Sequence, residues 1–347
     1  MAAKESSKHE LTQFPIEHLD LDEVKTIRQL VEGWRRTSFQ SRTLSQCAAV
    51  LENMAADPKC TVLMGVAGAL IAGGMRKVLR DLVERGFVDV VVSTGAIAYH
   101  DWYEAHGQRH FLSSPEADDI LLRKHMLDRV YDTLADESEF RVIDEEVARI
   151  ADDMEPRAHS TREFLAHIGK MYEDPNSLVY TCAKNGVPYF VPALNDSSFG
   201  IALTRHYMGR SRAGKEPMRL DPIRDNYEIT QIVSKSERTG VFYIAGGTPK
   251  NYISQTAVTE EVLGLPEKPH HYAAQITTDV PHWGGLSGCT FEESQSWGKF
   301  HKDAKMAQSI VEATIGLPLV AGYLFESGIK RKRKRFKWSG DRLVSVS

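Results

Sequence analysis

The chain reads as an α/β protein built on a doubly wound parallel sheet with flanking helices, and three observations predict this. Cys60 to Met64 is a short apolar β run that passes straight into Gly65, Gly68, Gly73 and Gly74. Val88 to Val92 is a second run, ending in Ser93-Thr94-Gly95-Ala96, and Val241 to Ile244 is another, ending in Ala245-Gly246-Gly247. Helical patterns separate the runs, and repeated strand–turn–helix units give a parallel sheet. One glycine turn after a strand is punctuation, and the GxGxxG spacing is absent. Three such turns in one chain suggest a dinucleotide crevice at the carboxyl ends of the strands.

The elements follow in order. From Ile16 to Trp34, Leu19, Leu21, Val24, Ile27, Leu30 and Val31 recur at helical spacing. Thr43 and Gln46 are spaced as a capping box for a second helix, with Leu44, Ala48, Leu51 and Met54 on one face. A basic helix from Arg76 to Arg80 follows the first glycine turn, and Ser160 with Glu163 caps a further helix. Pro188 to Val191 is a strand leading into Asn195-Asp196-Ser197, where Asp196 suits a ribose or a cationic substrate as well as it suits a helix cap. Tyr272 to Thr277 is a strand, Ile310 to Thr314 the last strand with Glu312 near its end, and Leu317 to Phe325 the closing helix.

Composition narrows the function. With 347 residues, 42% hydrophobic and 26% charged, the chain can bury a proper core. Its net charge of -4 gives no reason to expect nucleic acid. Cys47, Cys60, Cys182 and Cys289 form no CxxC pair, which suggests reduced thiols and a cytoplasmic protein. The opening MAAKESSKHE lacks the apolar core of a signal peptide, and no run approaches a membrane span. Residues 1–20 are expected to be a flexible segment and 21–326 one domain. The tail 327–347, with seven charges in the eight residues Lys330 to Lys337, is expected to be solvated and disordered. His100, His106 and His110 stand in a charged stretch, but no ligand pair has zinc spacing, so no metal is expected.

The chemistry centres on TFEESQSWGKF, Thr290 to Phe300. Thr290 and Glu293 are spaced as a capping box, so a helix is expected to start there and to carry Trp297 and Lys299 near its far end. A lysine at a helix end ordinarily sits in water. Against an apolar wall its ammonium is poorly solvated, and the neutral amine becomes a nucleophile for carbonyls and imines.

Ser296-Trp297-Gly298-Lys299, with Ser287-Gly288 upstream, resembles the active-site lysine segment of the deoxyhypusine synthase family, and matching blocks run from about residue 20 to about residue 325. The resemblance implies a Rossmann-like, cytoplasmic, NAD-dependent aminobutyl transferase, a tetramer built from dimers. In that family NAD takes hydride from the carbon beside spermidine's secondary amine, the lysine captures the butyl group as an imine, and an acceptor amine displaces it. The acceptor is a lysine of the hypusine-carrying translation factor. Lys299 matches the covalent lysine and Trp297 the indole that lines the butyl channel. Gly65 to Ala72, including Gly68 and Ala69, match the first cofactor segment, and Thr94, Gly95 and Ala96 the second. Asp196 matches the ribose-side aspartate and Gly246 the third turn. Thr278 with Asp279 matches the segment before the lysine loop, and Glu312 with Ala313 an Asp-Ala pair.

The polyamine side departs from the family. Tyr99 and His100 replace two glutamates of the eukaryotic type, and Ile201, Leu286 and Trp283 each replace an aspartate. Asn251 replaces a histidine that assists the hydride step. Glu292, Glu293 and Asp101 remain nearby to compensate. Spermidine is a trication, so the lost carboxylates leave three functions open. They are the family reaction, the same chemistry with a small acceptor such as putrescine or a different amine donor, and an inactive NAD-binding subunit.

Overall fold

The computed structural model describes residues 8–347; the first seven residues of the polar opening lie outside the described residues. Six strands, β1 (Cys60–Val66), β2 (Val90–Ser93), β3 (Tyr189–Phe190), β4 (Arg238–Ile244), β5 (His270–Thr277) and β6 (Phe300–Ile310), form one sheet. Its order is β6-β5-β4-β1-β2-β3, and every pairing is parallel. The chain winds outward from β1 to one edge, returns to the middle at β4, and winds out to the other edge. Strand order therefore reverses between β1 and β4, and a crevice opens at the carboxyl ends there.

The main flanking helices are α1 (Phe39–Ala56), α2 (Arg76–Glu84), α3 (Gly95–Ala105), α4 (Ser198–Arg212), α5 (Pro222–Lys235), α6 (Gly247–Val262), α7 (Phe291–Gln295) and α8 (Ala313–Phe325). Strand side chains alternate between two cores. Val62, Met64, Val66, Phe242 and Ile244 pack with α1, α2, α3 and α8 residues such as Leu51, Leu79, Ile97 and Leu317. Leu63, Val90, Val92, Val241 and Tyr243 pack with Ile229 and Ile232 of α5 and Ile253 of α6. Near-continuous apolar strands are what a parallel sheet covered on both faces requires. Among the described residues no helix is long and apolar enough to cross a membrane.

Several boundaries differ from expectation, each for a local reason. Between Ile16 and Trp34 the long helix is replaced by a short turn, Leu21–Glu23, and a helix over Ile27–Gly33, because Thr26 and Gln29 form a capping box that starts a new helix. The next helix begins at Phe39, and Thr43 lies inside it, its hydroxyl donating to Gln40 O at 3.1 Å and Ser309 Oγ at 3.0 Å. The last strand ends at Ile310; Glu312 lies beyond it as the N-cap of α8, its carboxylate accepting from Thr314 N at 2.8 Å. The capping at Thr290 is present, but α7 stops at Gln295 and Gly298 turns the chain with φ +70°, so Lys299 stands outside the helix.

The basic tail is a correction of larger consequence. Instead of a disordered run, residues 336–339 and 342–346 form an antiparallel hairpin, β7 (Phe336–Ser339) and β8 (Arg342–Val346). Arg331, 4% exposed at its side chain, pairs with the fully buried Asp89, with Nη1 2.9 Å from Oδ1, and also donates to Cys60 O at 2.6 Å and Gly86 O at 2.8 Å. Arg333 donates to Val83 O and Glu84 O at the carboxyl end of α2, and Lys334 Nζ to Pro58 O. Carbonyls at strand starts and a helix end form an acceptor-rich surface, so these cations bind protein instead of water.

Candidate active site

The crevice is assembled from three turns. A Cβ on Gly65 would press on the Tyr243 ring at 2.9 Å, and Gly68 has φ +86° with open space beside it, so the chain after β1 exposes backbone to a close-lying ligand. α3 starts behind the N-cap Thr94 and α6 behind Gly246, and neither helix has a side-chain capping bond. Unpaired N–H groups at two helix starts favour phosphate. Thr94 Oγ1 is buried without a hydrogen-bond partner, a hydroxyl that a ligand oxygen would satisfy. These features fit the pyrophosphate of a dinucleotide.

The other predicted crevice residues lie around these turns. Ala69 is partly exposed after Gly68, and Ala96 lies in the first turn of α3. A Cβ on Gly95 would run into the Ser197 side chain, which joins the second turn to the Asp196 segment. Asp196 is exposed, and the N-cap of α4 is Ser197, so its carboxylate is not used as a cap. Thr278 and Asp279 are exposed past the end of β5. Ala313 is the first residue of α8, and Glu312 is held there as its cap. Burial opposes ionisation of Glu312, but the bonds from Thr314 outweigh it and hold the carboxyl low.

The lysine centre forms a separate group. Lys299 O accepts from His270 N at 3.1 Å at the amino end of β5, while Nζ lies 3.3 Å from Asn251 Oδ1 on α6 and 5.6 Å from the centre of the Trp297 ring. Burial lowers the Lys299 pKa, against the opposing pull of Cys289 and Glu293. Asn251 accepts without adding charge, so it orients the amine and leaves it free to be neutral. Ser287 and Gly288 wedge the loop in place: a Cβ on Gly246 would run into Ser287, and one on Gly288 into Val280 O. Glu293 is exposed on α7.

Sequence reasoning missed Lys250. Its side chain is buried, and Nζ donates to Gln275 Oε1 at 2.8 Å, Ser287 O at 3.2 Å and Cys289 O at 2.6 Å. Three N–H donors meet three oxygens, and among the described residues no carboxylate pairs with this ammonium. Burial pulls this ammonium down to about 8. The available signal was a lysine beside Asn251 at the first turn of a packed helix, where an ordinary surface lysine has no room.

The substrate-side residues are divided. Ile201, in the first turn of α4, is 63% exposed, Leu286 is 53% and Trp283 81%, an open apolar surface. His100 is half-buried on α3. Asp101 cannot compensate for the lost carboxylates: it is fully buried and accepts from Arg76, Ser177, Leu178 N and Val179 N. Tyr99 is also buried, donating to Asp144 at 2.7 Å. Among the described residues no group of three His, Cys, Asp or Glu side chains is placed to hold a metal.

The comparisons give the family and the fold of this doubly wound sheet. The family model described as deoxyhypusine synthase matches residues 29–324, and the chain belongs to that family. Among its relatives, probable deoxyhypusine synthase 2 of Methanosarcina mazei is 44% identical over 93% of this chain and 94% of its own. The deoxyhypusine synthase-like protein of Chlorobaculum parvum is 40% identical over 90% of this chain and 89% of its own. In fold, the crystal structure of an Entamoeba histolytica protein put forward as a deoxyhypusine synthase matches with TM-score 0.64 at 20% identity, covering 91% of this chain and 99% of that one.

Proposed function

We propose that the chain is an NAD-dependent transferase that moves a 4-aminobutyl group from spermidine, by way of Lys299, to the lysine of a protein acceptor, the hypusine-carrying translation factor. The observation that carries this reading is the Lys299 amine, its pKa lowered by burial, 3.3 Å from a neutral amide oxygen. Gly65, Gly68, Ala69, Thr94, Gly95, Ala96, Asp196, Gly246, Thr278 and Asp279 hold NAD, with the starts of α3 and α6 and the Thr94 hydroxyl on its phosphates. NAD supplies a hydride acceptor, which makes the carbon beside the donor amine electrophilic and later returns the hydride. Lys299 Nζ is the nucleophile that takes the aminobutyl group, and Asn251 Oδ1 orients it. Trp297, 65% exposed, offers an apolar wall for the butyl chain. Exposed Trp283, Leu286 and Ile201 support an oligomer, a tetramer in the family, and the free cysteines agree with work in the cytoplasm.

A second reading has its own support. Apolar Ile201 and Leu286 are open where a tricationic donor would need carboxylates, and Asp101 is unavailable. This favours a small acceptor amine or a less cationic donor. Incubation with NAD and spermidine, with and without putrescine, followed by amine analysis and borohydride trapping, separates the two. Diaminopropane and an adduct on Lys299 support the transfer, and homospermidine moves the small-acceptor reading ahead. No diaminopropane and no adduct with spermidine would reject it as the donor.

A further inference from the structure

We propose that His100, His110 and Glu104 form a proton relay that takes a proton from the amine substrate at His100 Nε2; this rests on the reading that the site works on an amine. His110 Nδ1 is 2.8 Å from Glu104 Oε1, and His110 Nε2 is 2.8 Å from His100 Nδ1. A carboxylate can only accept, so His110 Nδ1 carries the proton. When His110 is neutral its Nε2 accepts, His100 Nδ1 donates, and His100 Nε2 is left as a bare lone pair. That nitrogen bonds to no described residue and is not among the sealed, unpartnered atoms.

Its place on the fold aims it at the crevice. α3 is largely buried, and Ala96, His100 and Glu104, four residues apart, form its partly exposed stripe. Helical side chains lean toward the amino end, which here is the crevice turn Thr94-Gly95-Ala96. The charged groups around it are few. Glu104 Oε2 is 3.5 Å from Arg76 of α2, and Asp144, on the helix Glu137–Asp153, is taken by the Tyr99 hydroxyl.

The relay answers an electrostatic difficulty. Burial, and then His110, push His100 down to about 4, so this imidazole alone is a poor base for an ammonium ion. When the substrate ammonium gives its proton to His100 Nε2, the Nδ1 proton passes to His110 Nε2. One substrate N–H bond breaks, one imidazole N–H bond forms, and the positive charge comes to rest on His110 beside the Glu104 carboxylate. The substrate is left as a neutral amine.

The test uses the full chain labelled with 15N-histidine. At neutral pH His100 should show an unprotonated Nε2 and a protonated Nδ1, and His110 a protonated Nδ1; a proton on His100 Nε2 overturns the relay. In the aminobutyl assay, Glu104→Gln and His110→Asn should each lower the rate about a hundredfold or more, the lower end of the general-base range, and move its acid limb to lower pH. A packing role would leave the limb in place, and an unmoved limb in both variants also overturns the proposal. If the wild-type protein turns over no amine, the transfer reading fails, while the nitrogen shifts still decide the relay.

Discussion

The Lys250 ammonium donates to the main-chain oxygen of Cys289 at 2.6 Å, so the residue beside Asn251 anchors the loop that leads to Lys299. Gln275 joins it, donating to Ser287 O at 2.8 Å, and Gln308 donates to Cys289 O at 3.1 Å. Replacing Lys250 with Met removes three charge-assisted bonds and leaves Ser287 O and Cys289 O with one donor each, from Gln275 and Gln308. The expected loss is about 2 kcal/mol of stability, measured as a urea midpoint, together with a fall in transfer rate as Lys299 loses its fixed position.

Lys250 also carries a pH signature. Its folded pKa of about 8 lies below the ordinary 10.5. Between those values the unfolded chain binds more protons than the folded one, so stability contributed by this residue rises as pH goes from 8 to 10.5. Urea midpoints taken at the two ends should show this slope in the wild-type protein and its loss in Lys250→Met. Parallel curves for the two proteins would exclude it.

Lys299→Ala should abolish transfer and borohydride trapping while NAD binding, followed by calorimetry, stays near wild type. Transfer at the normal rate would remove Lys299 as the nucleophile.

Ile201→Asp adds a carboxylate at an exposed position beside the crevice. Spermidine should bind several-fold more tightly by calorimetry, with an effect that weakens as salt is raised. Unchanged affinity would count against the idea that lost carboxylates define this site.

Much of this was legible in the chain. Strand runs that pass into glycine turns fixed the parallel sheet, because both signals are local. Lys299 and Trp297 were singled out by the segment around them, and the fold sets the amine 5.6 Å from the centre of the ring. Lys250 was not, since its importance comes from oxygens up to 39 residues away that only folding brings to it. Glu312 was read near a strand end because an apolar run does not reveal that its carboxylate caps the next helix. The basic tail misled for a related reason: charge density suggests water, and nothing local in KRKRKRFK announces that Asp89 and a set of main-chain oxygens await it.

The tail yields a stability test. Arg331→Ala leaves Asp89 buried without its partner and should cost about 3–5 kcal/mol. Thermal melting should drop by many degrees, and a chain ending at Ser327 should fare as badly. A melting point within a degree of wild type would show that the pair contributes nothing.

That arrangement also bears on how the protein is made. A ribosome delivers Cys60 and Asp89 well before Arg331, so the middle strands emerge before the residue that completes their lower edge. Until Arg331 emerges, the nascent sheet has an unmatched negative charge and open carbonyls at its base, and the stability this segment adds arrives only with it. Truncated products that stop before Arg331, from a stalled or frameshifted message, would therefore lack this closure and be exposed to proteolysis.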